Sequence, residues 1–135
     1  MYIGEQLINP SAERLRLSAQ LGVERVVIDN RGTDLVKPGG VWDVNKLREY
    51  REWVESLGLK IDLFALDVGS VLLDFLTDEV IARRQAEVLK QNIQIAADAG
   101  LTALKYNVQM VGITRTGLLP GRGGVQYSGF KLASY

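Results

Sequence analysis

The chain contains no cysteine and no histidine. The first absence excludes disulfides, thiolate metal ligands and a cysteine nucleophile; the second removes the commonest general base and transition-metal ligand. Net charge is missing too, because 16 Lys and Arg stand against 16 Asp and Glu. That balance gives no electrostatic case for nucleic acid or an anionic membrane as partner. No apolar stretch approaches the roughly 18 residues of a membrane span. The opening MYIGEQL lacks the basic and apolar regions of a secretory signal, so a cytoplasmic place is expected.

What is present is a repeat. The stretches LRLSAQLGVERVVIDN, LREYREWVESLGLKIDLFALD and LKQNIQIAADAGLTALKYNV each carry an amphipathic segment into a glycine and then into a short apolar run. The glycines are Gly22, Gly58 and Gly100. Glycine just past a helical pattern takes the left-handed conformation that ends a helix, so each repeat reads as helix, tight turn and strand. Helix starts are signalled as well. Asn9 before Pro10 reads as an N-cap with proline at the first helical position. Asp43 caps the second helix, and Thr77 with Asp78 and Glu79 marks the third. In that third helix Ile81, Val88 and Ile95, with Leu89 and Ala96 beside them, predict the stripe that packs on a sheet. The strands are apolar along most of their length, as when both faces are covered.

With YIGEQL as an opening strand, the order is β-α-β-α-β-α-β, about four strands and three helices, followed by a Gly/Arg-rich loop. Such alternation predicts an α/β fold with a parallel sheet and right-handed crossovers. Spacing leaves two architectures open: a doubly wound sheet, or part of a TIM barrel. A full barrel needs about 250 residues, so this chain holds about half of one.

In either architecture function gathers at the C-terminal ends of the strands. The polar residues expected there are Glu5 and Gln6, then Asp29, Asn30 and Arg31, then Asp67, then Asn107 and Gln109. Lys105, inside the fourth strand, is expected to snorkel or face outward. The glycine-rich GRGGVQ is not a dinucleotide fingerprint, since Gln126 stands where the third glycine belongs, and no G-K-[ST] occurs. Gly121, Gly123 and Gly124 instead let the backbone turn around Arg122, with Arg115 upstream. Two guanidinium groups suit a carboxylate or phosphate, which they grip in a bidentate way; two solvated arginines on a surface loop fit the same spacing.

Taken together, LKYNVQMVGITRTGLLPGRGGVQYSGF resembles the region of the short-form mannonate dehydratases in which a strand ending in Tyr-Asn is followed by a glycine, an Arg-Thr pair and an Arg-Gly-Gly segment. The matching residues are Tyr106, Asn107, Gly112, Arg115, Thr116, Arg122, Gly123 and Gly124. The stretch LREYREWVESLGLKIDLFALD is similar to that family's second helix and third strand. The resemblance implies a xylose-isomerase-like (β/α)₈ barrel of which residues 1–135 are the N-terminal half, a partial barrel domain. It implies a lyase that removes water from D-mannonate to give 2-keto-3-deoxy-D-gluconate, with a divalent metal, usually manganese (Mn2+). It also implies Asn107, Arg115 and Arg122 as substrate-side residues for a small acid sugar.

The family's metal shell uses histidine, cysteine and carboxylates on later strands, which this chain does not contain. Only carboxylates such as Glu5, Asp29 and Asp67 remain, a set suited to weak magnesium or calcium contacts. The chain is therefore expected to be inactive alone. Other readings stay open: a half-barrel that closes on itself as a homo-oligomer, a flavodoxin-like open-sheet module, or a sugar-phosphate isomerase or epimerase on the same barrel.

Overall fold

The computed structural model describes residues 1–29, 34–68, 76–108 and 114–134. Four strands, β1 (Gly4–Ile8), β2 (Arg25–Asp29), β3 (Lys60–Ala65) and β4 (Leu104–Lys105), form one parallel sheet in the order β1-β2-β3-β4. Between them run α1 (Ala12–Gln20), α2 (Val44–Ser56) and α3 (Glu79–Asp98). A doubly wound sheet reverses its strand order at a switch point. Here the order never reverses, which is the winding of a barrel. The chain is an α/β protein with the strand order of half a TIM barrel.

Alternation along the strands sorts the side chains. Val26, Ile28 and Phe64 are fully buried, and Leu7 nearly so. Their register, Leu7 beside Ile28 and Ile28 beside Phe64, puts them on one face. There they meet Leu15 of α1, Leu47 and Val54 of α2, and Ala96 of α3 in one core. Trp42 lies edge-on to Phe64, with ring centres 5.4 Å apart. Helices thus cover one face of the sheet, and only that face carries the apolar core, a narrower burial than the apolar strands predict.

Helix ends follow local rules, with two corrections. Gly22, Gly58 and Gly100 all have φ near +85°, the conformation an L side chain resists. The Val23 and Leu101 amides bond back to Ser18 and Ala96, closing α1 and α3 in Schellman fashion. Asp43 caps α2 by accepting from the Asn45 and Lys46 amides. At α1, however, the cap is Ser11, whose hydroxyl accepts from the Arg14 amide. Asn9 instead sits at φ 40° and donates its N–H to the Asp29 carbonyl, tying the end of β1 to that of β2. At α3 the cap is Asp78, accepting from Val80 and Ile81.

The α3 stripe also differs from the expected one. Ala82, Asn92 and Ala96 are buried, whereas Ile81 is exposed. Small alanines let the helix approach closely, and Asn92 tolerates burial because both ends of its amide are hydrogen-bonded. Its Oδ1 accepts from the Trp42 N–H at 2.8 Å and its Nδ2 donates to the Gly40 carbonyl at 3.0 Å. One side chain thereby fastens the loop before α2 onto α3. Among the described residues no helix is long and apolar enough to cross a membrane.

Two predictions follow from this packing. Asn92→Ala strips partners from the buried Trp42 N–H and should cost about 2–3 kcal/mol, read as a lowered midpoint in urea denaturation. The Tyr50 hydroxyl is buried without a described partner, and burial pushes its pKa up to about 12. The unfolded phenol ionises near 10, so the neutral group's contribution is intact at pH 7 and is lost as pH rises from about 10 toward 12. Tyr50→Phe should match the parent melting temperature or exceed it at pH 7, and should lose less stability over that alkaline window.

Candidate functional site

The second face of the sheet follows from the same register. Opposite the core-facing set stand Gln6 and Ile8 of β1, Val27 and Asp29 of β2, Leu63 and Ala65 of β3, and Lys105 of β4. The β2–β3 ladder shifts register between Val26 and Val27, so Asp62 is the extra residue of a bulge. This bulge keeps Phe64 on the helix side and returns Leu63 and Ala65 to the other.

Lys105 Nζ donates to Gln6 Oε1 at 2.7 Å. These residues lie on the two edge strands, which in a flat sheet would stand about 14 Å apart, three spacings of about 4.8 Å. Side chains on a flat sheet rise roughly perpendicular to it and would not converge. They meet because the sheet curls, and the face they share is the concave one. Lys105 does not snorkel outward as expected.

The two ends of the concave face differ in their charge. At the N-terminal ends, Arg25 donates to Asp62 Oδ1 at 3.0 Å and lies over the Tyr2 ring, its guanidinium carbon 4.4 Å from the centroid. The Tyr2 hydroxyl donates to Asp62 Oδ2 at 2.9 Å, and that hydrogen bond raises its pKa above the usual value. Here a carboxylate answers the cation. At the C-terminal ends stands Lys105, half-buried, and no described carboxylate lies within ion-pair distance of it.

The expected rim is partly rearranged. Glu5 alternates onto the helix face, where it pairs with Arg14 and accepts from the Ser18 hydroxyl at 2.6 Å. It ties β1 to α1 and is not a rim ligand. Gln6 and Asp29 do lie on the concave face. Asp67 is exposed just beyond β3. Asn30, Arg31, Gln109 and Gly112 lie outside the described residues. Asn107 is exposed two residues past β4.

The glycine-rich loop is a hairpin. β5 (Gly117–Pro120) pairs antiparallel with β6 (Gln126–Gly129), closed by Gly121 N–H to Val125 O at 2.6 Å and Thr116 N–H to Gly129 O at 2.9 Å. Its tip is a single 3₁₀ turn, Arg122–Gly124, in which Gly123 and Gly124 have φ of 70° and 81°. At Gly129 a Cβ would fall 2.1 Å from the Leu119 side chain, so any larger residue there would have to displace Leu119. Arg122 is exposed at the tip, and Arg115 is exposed before β5 with its Nη1 on the Thr114 carbonyl at 3.3 Å. Among the described residues no hydrogen bond joins Asn107, Arg115 and Arg122.

The described carboxylates do not assemble a manganese centre. Among the described residues no group of three or more His, Cys, Asp or Glu side chains is placed to hold a metal ion, and Glu5 is engaged elsewhere. A depression of about 480 Å³ lined by Arg83, Arg84, Ala86, Glu87 and Lys90 belongs wholly to the outer surface of α3. Its Arg83 and Lys90 already pair with Glu79 and Glu87, so we place the site on the concave face.

No family profile matches the chain, and no curated protein matches it in sequence. Its fold, however, has solved counterparts, seven matching chains in all. One is the mannonate dehydratase from Streptococcus suis serotype 2, which superposes with a TM-score of 0.73 over 99% of this chain at 19% identity. The likeness is one of fold, and the chain spans 38% of that enzyme's length.

Glu5→Gln tests the corrected role. It should lower stability by about 1 kcal/mol, since it removes the charge from two hydrogen bonds, while leaving any manganese affinity in a calorimetric titration unchanged. Weakened metal binding with an unaltered melting temperature would restore Glu5 to the rim.

Proposed function

We propose that residues 1–135 form a partial (β/α) barrel domain, the N-terminal half of a metal-dependent lyase that removes water from D-mannonate to give 2-keto-3-deoxy-D-gluconate. The observation that carries the reading is the fold likeness to a mannonate dehydratase over 99% of the chain. It is supported by Tyr106 and Asn107 directly past β4 and by Arg122 at the tip of a glycine-shaped hairpin.

On this reading the metal's ligands come from outside these residues, and the bound metal would supply charge stabilisation at the reacting carboxylate. This chain's own part is to bind and orient the acid sugar. Arg115 and Arg122 carry charge and forked donors that would orient an acid sugar from above the mouth. Asn107, at the strand end, offers an amide that donates and accepts toward sugar hydroxyls.

The test is a titration of the chain, followed by NMR, with D-mannonate, neutral D-mannitol and mannose 6-phosphate. D-mannonate should bind weakly, in about the millimolar range, mannitol should not, and Arg122→Ala should weaken mannonate binding about fivefold or more. Mixing with D-mannonate and manganese should yield no keto-acid product from the chain alone. Preference for the sugar phosphate would replace the reading with an isomerase or epimerase. A compact dimer in light scattering that forms product would replace the partial domain with a self-closing half-barrel.

A further inference from the structure

We propose that Lys105, with Gln6 as its positioning residue, is the anion anchor of the concave face and takes the carboxylate of a sugar acid. The substrate class rests on the reading above; the anion site rests on geometry alone. Lys105 stands at the C-terminal end of its strand, the end at which barrels place their chemistry. Its ammonium donates to the neutral Gln6 amide at 2.7 Å, which fixes its direction, and among the described residues no carboxylate lies within ion-pair distance of it. The contrast with Arg25 is the telling point. At the opposite end of the same face the cation already has its carboxylate, Asp62, and has no vacancy for a ligand.

The surroundings strengthen the attraction. Ile8, Val27, Leu63 and Ala65 share the concave face with Lys105, as does Asp29 beyond ion-pair distance, and the apolar neighbours lower the local screening of a charge. An ammonium has three donors, and Gln6 takes one; among the described residues no other acceptor is seen, so two donors can turn to carboxylate oxygens. The hydrogen bond to Gln6 also orders a long side chain before a ligand arrives, which reduces the entropy lost on binding.

The experiment reads the Lys105 side-chain ¹³Cε–¹Hε resonance in the purified chain. The probes are D-mannonate, D-mannitol and inorganic phosphate. Calorimetric or NMR affinities of Lys105→Met, Lys105→Arg and Gln6→Leu accompany it, and amide spectra check that each variant is folded. The Lys105 signal should move with D-mannonate and stay still with mannitol. Lys105→Met should weaken mannonate binding about tenfold, Lys105→Arg much less, and Gln6→Leu by an intermediate factor.

A Lys105 signal indifferent to every anion overturns the proposal, whether or not the variants fold. So does a folded Lys105→Met variant that binds D-mannonate like the parent, in which case the sugar-acid function survives without this anchor. A signal that moves with phosphate but not with D-mannonate upholds the anion site and refutes the sugar-acid reading.

Discussion

Successive side chains of a strand must leave on opposite faces, and the rest of this molecule depends on that constraint. One set, Leu7, Val26, Ile28 and Phe64, is driven onto the helices and supplies the core. The other set is handed to the concave face without further choice. Because the core claims the first set so firmly, a shift of one residue in any strand would exchange the two and expose the apolar side chains. The Asp62 bulge shows how tightly this is held: the ladder takes in an extra residue and still delivers Phe64 to the core.

The same bulge accounts for the asymmetry between the ends of the sheet. An inserted residue gives Asp62 the position from which its carboxylate reaches both Arg25 and Tyr2, so the N-terminal end is closed by an internally neutral network. At the other end no ion pair joins Lys105 to a described carboxylate. Barrels commonly divide labour in this way, stability at one end and chemistry at the other. Here the described charge pairing differs between the two ends.

Much of this was written plainly in the sequence. Gly22, Gly58 and Gly100 announce helix ends because positive φ is a local demand that few residues meet, and the alternation of repeats announces a parallel α/β fold. The direction of a side chain is not local. Glu5 and Gln6 are neighbours with similar chemistry, and only the register with β2 sends one to α1 and the other to the concave face. Lys105 lies in a strand too short to show a period, so its face is set by its ladder with Ala65. Asn92 looks like an ordinary polar helix position until the loop carrying Gly40 and Trp42 is laid against it. The hairpin is hidden in the sequence because clustered glycines read as loop, although GLLP and QYSG flank a short glycine-containing connection in hairpin fashion. The likeness to the dehydratases reaches this chain through its fold rather than through overall identity.

The hydrogen bond from Lys105 to Gln6 joins residues 99 positions apart, whereas the sheet is built by strands that pair with their neighbours in chain order. Assembly can therefore advance by short closures, each strand adding to the last, with modest entropic cost at every step. The contact between the edge strands has no such local route and waits until the intervening strands have bent into place. In kinetic terms this pair is a late clasp, and its formation marks the moment at which a growing ribbon becomes a cup.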